Sequence, residues 1–110
     1  MKNDYQLMVM LYERVYGWKS QQMGDQGEVW KRADGGIEVA QSIMKPAAYG
    51  RLQAWLLEQG SGSAIEITRD QAKVQVNRGG TVQHVANVSL GRALTIATLL
   101  AHGVAMQELE

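Results

Sequence analysis

The sequence predicts an α+β fold in a single domain, with helices packed on one face of a largely antiparallel sheet. Three observations carry that prediction. Apolar residues recur at helical spacing near both ends and in the middle of the chain. Two hairpin signatures, Asp34-Gly35 and Gly79-Gly80, sit between stretches that alternate apolar and polar residues. The 110 residues are 45% hydrophobic and 20% charged, which suits one folded domain and not a disordered tail. The expected order over residues 1–110 is α-β-β-α-β-β-β-α.

The first helix starts at Asn3, a capping residue with Gln6 three positions on to reach back. Leu7, Met8, Leu11, Tyr12 and Val15 follow at helical spacing, and Tyr5, Val9 and Tyr16 widen the apolar arc. A helix this apolar is buried on most sides or shared with a partner. Gly17 ends it, and the polar, glycine-broken run Lys19 to Gly27 reads as a loop. Glu28 to Arg32 and Ile37 to Gln41 then form a hairpin across Ala33-Asp34-Gly35-Gly36.

Pro46 suits a first helical turn, where its missing N–H costs nothing. Ala48, Tyr49, Leu52, Trp55 and Leu56 make one apolar face, and Gly60 ends that helix. A three-stranded meander follows. Its buried face is expected to hold Ile65, Ile67, Val74, Val76, Val82, Ala86 and Val88. Its open face would show Glu66, Thr68, Lys73, Gln75, Asn77, Thr81 and Gln83. The third strand breaks the alternation, so either Val85 faces out or His84 faces in. Ser89 caps the last helix, roughly 90 to 107, whose ridge of Ala93, Ala97 and Ala101 allows close packing. Leu109-Glu110 reads as a candidate remnant of a cloned tag, and the two residues are given no role.

Charge narrows the function. Eleven Lys and Arg balance eleven Asp and Glu, and the balance is local: residues 1–60 carry seven of each sign and the remainder four. This argues against a strongly cationic binder of nucleic acid or membranes. The uncharged stretch Ala93 to Met106 is shorter than the roughly 20 residues a bilayer requires. With no signal-peptide pattern and no cysteine, the chain reads as cytoplasmic.

The catalytic inventory is thin. Zero Cys removes thiol catalysis and thiolate metal sites. His84 and His102 lie far apart, with no helical pair and no acidic calcium loop, so no metal and no cofactor are expected. None of the serines sits in G-x-S-x-G, and Gly60-Ser61-Gly62 runs from helix to strand, the reverse of a phosphate loop. The carboxylates lie beside bases or turns and read as surface charge.

Two features point to binding. Trp18-Lys19 and Trp30-Lys31-Arg32 put aromatics beside cations, as stacking on single-stranded nucleic acid would require. The wide first helix and the off-face Leu57, Leu99 and Met106 suit protein association, where aromatics and Met are enriched. We expect a small non-enzymatic interaction module, a profile common among inhibitors and regulators of phages and mobile elements. It would act sterically on a macromolecular partner through Tyr12, Tyr16, Trp18, Trp30, Lys31 and Arg32. It would also form a homodimer through Tyr5, Val9, Leu99 and Met106. A single-stranded nucleic-acid binder is the alternative, and an enzyme without a recognisable motif the second alternative.

Overall fold

A computed structural model describes residues 1–22 and 28–110. It holds the predicted α+β order with two additions, a strand before the first hairpin and a short helix at the end. The first helix, α1 (Asp4–Met10), opens on the expected reciprocal cap. The Asn3 side chain accepts from the Gln6 N–H at 2.8 Å, and Gln6 Oε1 accepts from the Asn3 N–H at 2.9 Å. The helix then widens into a π-helical segment, Leu11–Tyr16, closed by Gly17. Such segments are rare and shift the angular position of the side chains they carry.

The run predicted as a loop from Lys19 is a strand in its first part: β1 (Lys19–Gln22) pairs antiparallel with β2 (Glu28–Lys31). Its sequence KSQQ has no apolar residue, so alternation could not reveal it, and backbone pairing alone places it. Residues 23–27, the rest of that expected loop, lie outside the described residues. β3 (Ile37–Val39) joins the other side of β2, giving the order β1-β2-β3. The β2–β3 turn has three residues: Arg32 O accepts from the Gly35 N–H at 3.0 Å, and the Arg32 N–H donates to Gly36 O at 2.8 Å. Gly35 sits at φ +89°, which this loop demands and side chains resist.

α2 (Pro46–Glu58) carries proline in its first turn, and α3 (Leu90–Ala101) is capped by Ser89, whose Oγ accepts from the Arg92 N–H. The second sheet is the meander β4 (Gly62–Ile67), β5 (Ala72–Arg78) and β6 (Thr81–Asn87), paired antiparallel in chain order. The strands are thus divided between two three-stranded antiparallel sheets. α3 lies across β5 and β6 and also packs against α1, the π-helical segment and α2. Enclosure on every side explains why Leu94, Ile96, Ala97 and Leu99 are all buried, although they point in different directions around the helix.

The register corrects the expected buried face of β6. Val74 pairs with Val85 and Val76 with Gln83, so Gln83, Val85 and Asn87 face the helices. His84 faces out, Val82 and Ala86 join it on the open face, and Val88 is 87% exposed. Ile67, at the end of an edge strand, is also left in solvent. A second correction concerns the last helix, expected to reach 107. It ends at Ala101 in a paired cap: Gly103, at φ +89°, donates to Leu100 O and Val104 donates to Leu99 O. Gly60 and Ser61 close α2 in the same way. The chain then forms α4 (Met106–Leu109), which seats Leu109 fully in the core while its carbonyl accepts from the Lys2 N–H at 2.8 Å. Leu109, given no role from sequence, is a core residue. No helix among the described residues is long and apolar enough to cross a membrane.

Candidate interaction surface

Four aromatic residues proposed as partner anchors come together, but mainly inside the protein. The π-helical segment carries Tyr12 and Tyr16, with ring centroids 5.9 Å apart. Trp18 lies 4.8 Å from Tyr12 and 4.7 Å from Tyr16, and Trp30 meets Tyr12 edge-on at 5.1 Å. Trp55 extends the chain of rings from Tyr16 to His102. Trp30 is 1% and Tyr12 4% exposed. These two are therefore corrected from partner contacts to core residues, because alternation along β2 turns Trp30 towards the helices.

Energetics agree with a structural role for Trp30. Its indole N–H is buried and finds no acceptor among the described residues. That costs about 1–3 kcal/mol. Burying roughly 200 Å² of ring returns about 5 kcal/mol at 25 cal/mol per Å². Tyr16 and Trp18 remain half-buried at the rim, with the Arg51 guanidinium 5.9 Å from the Trp18 ring centre. Burial pushes the Tyr16 phenol well above its usual range, so it stays protonated across the physiological range.

The cations divide. Arg32 is held between Asp34 at 3.1 Å and Glu38 at 2.7 Å, and Arg51 reaches the other Glu38 oxygen at 3.2 Å. The Gly36 N–H and Arg32 together hold the Asp34 carboxyl below its usual range. Lys31 is exposed on the opposite face of β2 from Trp30, directly across from Lys19 on β1. Across from Lys31 on the other side lies Ile37, and Val29 pairs with Val39. Among the described residues, the outer face of the first sheet therefore carries Lys19, Lys31, Gln21, Ile37 and Val39 and no acid, while Val29 shares that face but is buried. Ile37 is 53% and Val39 69% exposed. Sequence reading missed these two because a strand's burial depends on what covers it, which local pattern does not record.

The residues assigned to a homodimer also separate. Leu99 is fully buried inside the chain and is corrected from interface to core. Val9 is half-buried against the core. Tyr5 and Met106 are exposed, and the Tyr5 hydroxyl donates to Glu28, which raises the phenol's pKa.

The other open surface is the outer face of the second sheet. A hollow of about 440 Å³ there is lined by Ala64, Glu66, Lys73, Gln75, His84 and Ala86, among others. It holds one carboxylate, one lysine and the His84 imidazole, and no Phe, Tyr or Trp ring. His102 lies elsewhere, its Nδ1 2.8 Å from Thr98 O, and burial beside Trp55 lowers its pKa. No group of three metal-ligating side chains occurs among the described residues.

Fold and surface together define an α+β domain whose two sheets each leave a face open. No protein-family model matches the chain, and no curated protein and no solved structure matches it either.

Proposed function

We propose that the protein is a non-enzymatic interaction module that acts by binding a macromolecular partner, in the manner of a steric inhibitor or regulator. One observation carries this reading. The outer face of β1-β2-β3 exposes two β-branched side chains, Ile37 and Val39, on a strand at the edge of its sheet. Exposed apolar residues on an unpaired edge favour association, and natural sheets tend to suppress them. The anchor set from sequence is revised to match: Tyr16, Trp18 and Lys31 stay accessible, and Ile37 and Val39 join them.

Single-stranded nucleic acid is supported less. Trp30 is buried, Arg32 is neutralised by two carboxylates, and the open face of the second sheet offers the His84 imidazole but no Phe, Tyr or Trp ring for a base to stack on. Self-association is kept as part of the proposal through Tyr5 and Met106, the exposed members of the original set.

The test is affinity capture from cells of the natural host, with the wild type compared against the Ile37→Glu/Val39→Glu double variant. A stoichiometric partner retained by the first and lost by the second supports the reading, provided both proteins unfold at similar temperatures. Retention of nothing, or equal retention by both, sinks it. Light scattering decides self-association, because a mass of 12.1 kDa is one chain.

A further inference from the structure

We infer that the outer face and open edge of the first sheet take up an extended, acidic segment of a partner protein, added as a strand alongside β3. The inference rests on the interaction-module reading and specifies the partner's chemistry.

The first support is electrostatic. Lys19 and Lys31 are direct cross-strand partners, an arrangement that costs stability because like charges oppose each other. Neither forms an ion pair among the described residues. The nearby acids among the described residues are already engaged. Glu28 and Glu38 lie on the other face of the sheet, and Asp34 is held by Arg32 and the Gly36 N–H. Counted over the described residues, the face is thus locally cationic in a chain whose net charge is zero. An anionic partner would relieve the repulsion that folding leaves in place.

The second support is the direction of the backbone groups. Hydrogen-bonded and non-bonded pairs alternate along an antiparallel ladder. The Arg32 N–H bonds Gly36 O, so Trp30 and Glu38 form the next bonded pair. Ile37 and Val39 fall between, and each turns its N–H and C=O away from β2 towards the open edge. No backbone partner outside the hairpin meets either residue among the described residues. Two residues with outward backbone groups at a spacing of two are what an incoming strand pairs with.

The third support is reach. Strands lie about 4.8 Å apart, so a residue on an added strand would sit about 10 Å from Lys31 and about 14 Å from Lys19. A lysine and a glutamate extended towards each other span the first distance over Ile37. Lys19 acts through the longer-range field, which salt screens beyond about 8 Å at physiological ionic strength. Ile37 and Val39 favour β-branched partners on the same face, and a nucleic acid would bring neither strand backbone nor apolar side chains.

The experiment titrates labelled ten-residue peptides against the whole protein at low salt. One alternates Val with Glu, one alternates Val with Lys, and one is the Val/Glu peptide with alternate backbone nitrogens methylated. A ten-nucleotide single-stranded DNA serves as the fourth probe. The Val/Glu peptide is expected to bind at least about tenfold more tightly than the Val/Lys peptide, and methylation to abolish binding. Lys19→Glu/Lys31→Glu should reverse the preference, a gain of Val/Lys binding that misfolding cannot produce. An unreversed preference, insensitivity to methylation, or tighter binding of the DNA overturns the inference. If no peptide binds while an intact partner is still captured through Ile37 and Val39, the acidic-strand inference fails and the interaction-module reading stands.

Discussion

Gly91 rests against the backbone of Ile43, so closely that a Cβ at residue 91 would overlap the Ile43 carbonyl oxygen and come within 2.8 Å of its carbon. The first turn of α3 is thereby pressed onto the segment that joins β3 to α2. Local propensity favours alanine over glycine here by about 1 kcal/mol. The collision is with backbone, which cannot rotate away, and overpacking of this kind costs about 1–3 kcal/mol or more. Gly91→Ala should therefore lower stability despite the better helix former, measured as a fall in the urea midpoint with an unchanged m-value.

Leu99 separates core from interface. Its burial within one chain predicts that Leu99→Ala costs about 2–5 kcal/mol, with the mass by light scattering unaltered. An interface role would instead leave the isolated chain's stability nearly untouched and change the mass.

Leu109 is the corresponding test at the other end of the fold. Its full burial and the bond from Lys2 predict that Leu109→Ala destabilises by about 2–4 kcal/mol. A tag remnant with no structural role would give no change in thermal unfolding.

Glu38 holds two arginines, Arg32 from its own hairpin and Arg51 from α2. Glu38→Gln should cost about 1–3 kcal/mol, because a half-buried site loses the charge that balances both guanidinium groups. Tryptophan emission should shift as well, since Arg51 also lies over Trp18.

His102 sets a pH dependence. Burial, aided by the Arg78 charge, lowers its pKa in the folded state, while the bond to Thr98 O opposes the shift. The unfolded chain therefore takes up the proton first as pH falls. The neutral imidazole favours the fold fully above about pH 7.5, and stability is lost as pH drops through about 6.5 towards the lower folded value. Urea unfolding at pH 8 and pH 5.5 should show the loss, and His102→Gln should flatten it. Asp34 and Glu108, whose pKa values are also lowered, act only in the more acidic range.

Much of the fold was legible because short-range chemistry dictates it. Asn3 with Gln6, Pro46, Ser89 and Gly60 mark helix ends through hydrogen bonds to their own neighbours. The glycines of the hairpins mark turns for the same reason. β1 was not legible, since KSQQ has no pattern to read and depends on β2 for its existence. The candidate surface was half legible: the cations beside Trp18 and Trp30 were found, but their facing was not.

The sequence by itself determined the α+β class, the order of every element but β1 and the terminal helix, and the turn positions, all set by interactions spanning a few residues. Only the tertiary structure decided which side of each element meets another. It buried Trp30, Tyr12 and Leu99, flipped β6 so that Val85 faces in, drew Leu109 into the core, and left Ile37 and Val39 in solvent. Burial is a property of what covers a residue, and α3 shows this most plainly: enclosed by a sheet and three helical segments, it has no solvent face for amphipathic spacing to mark.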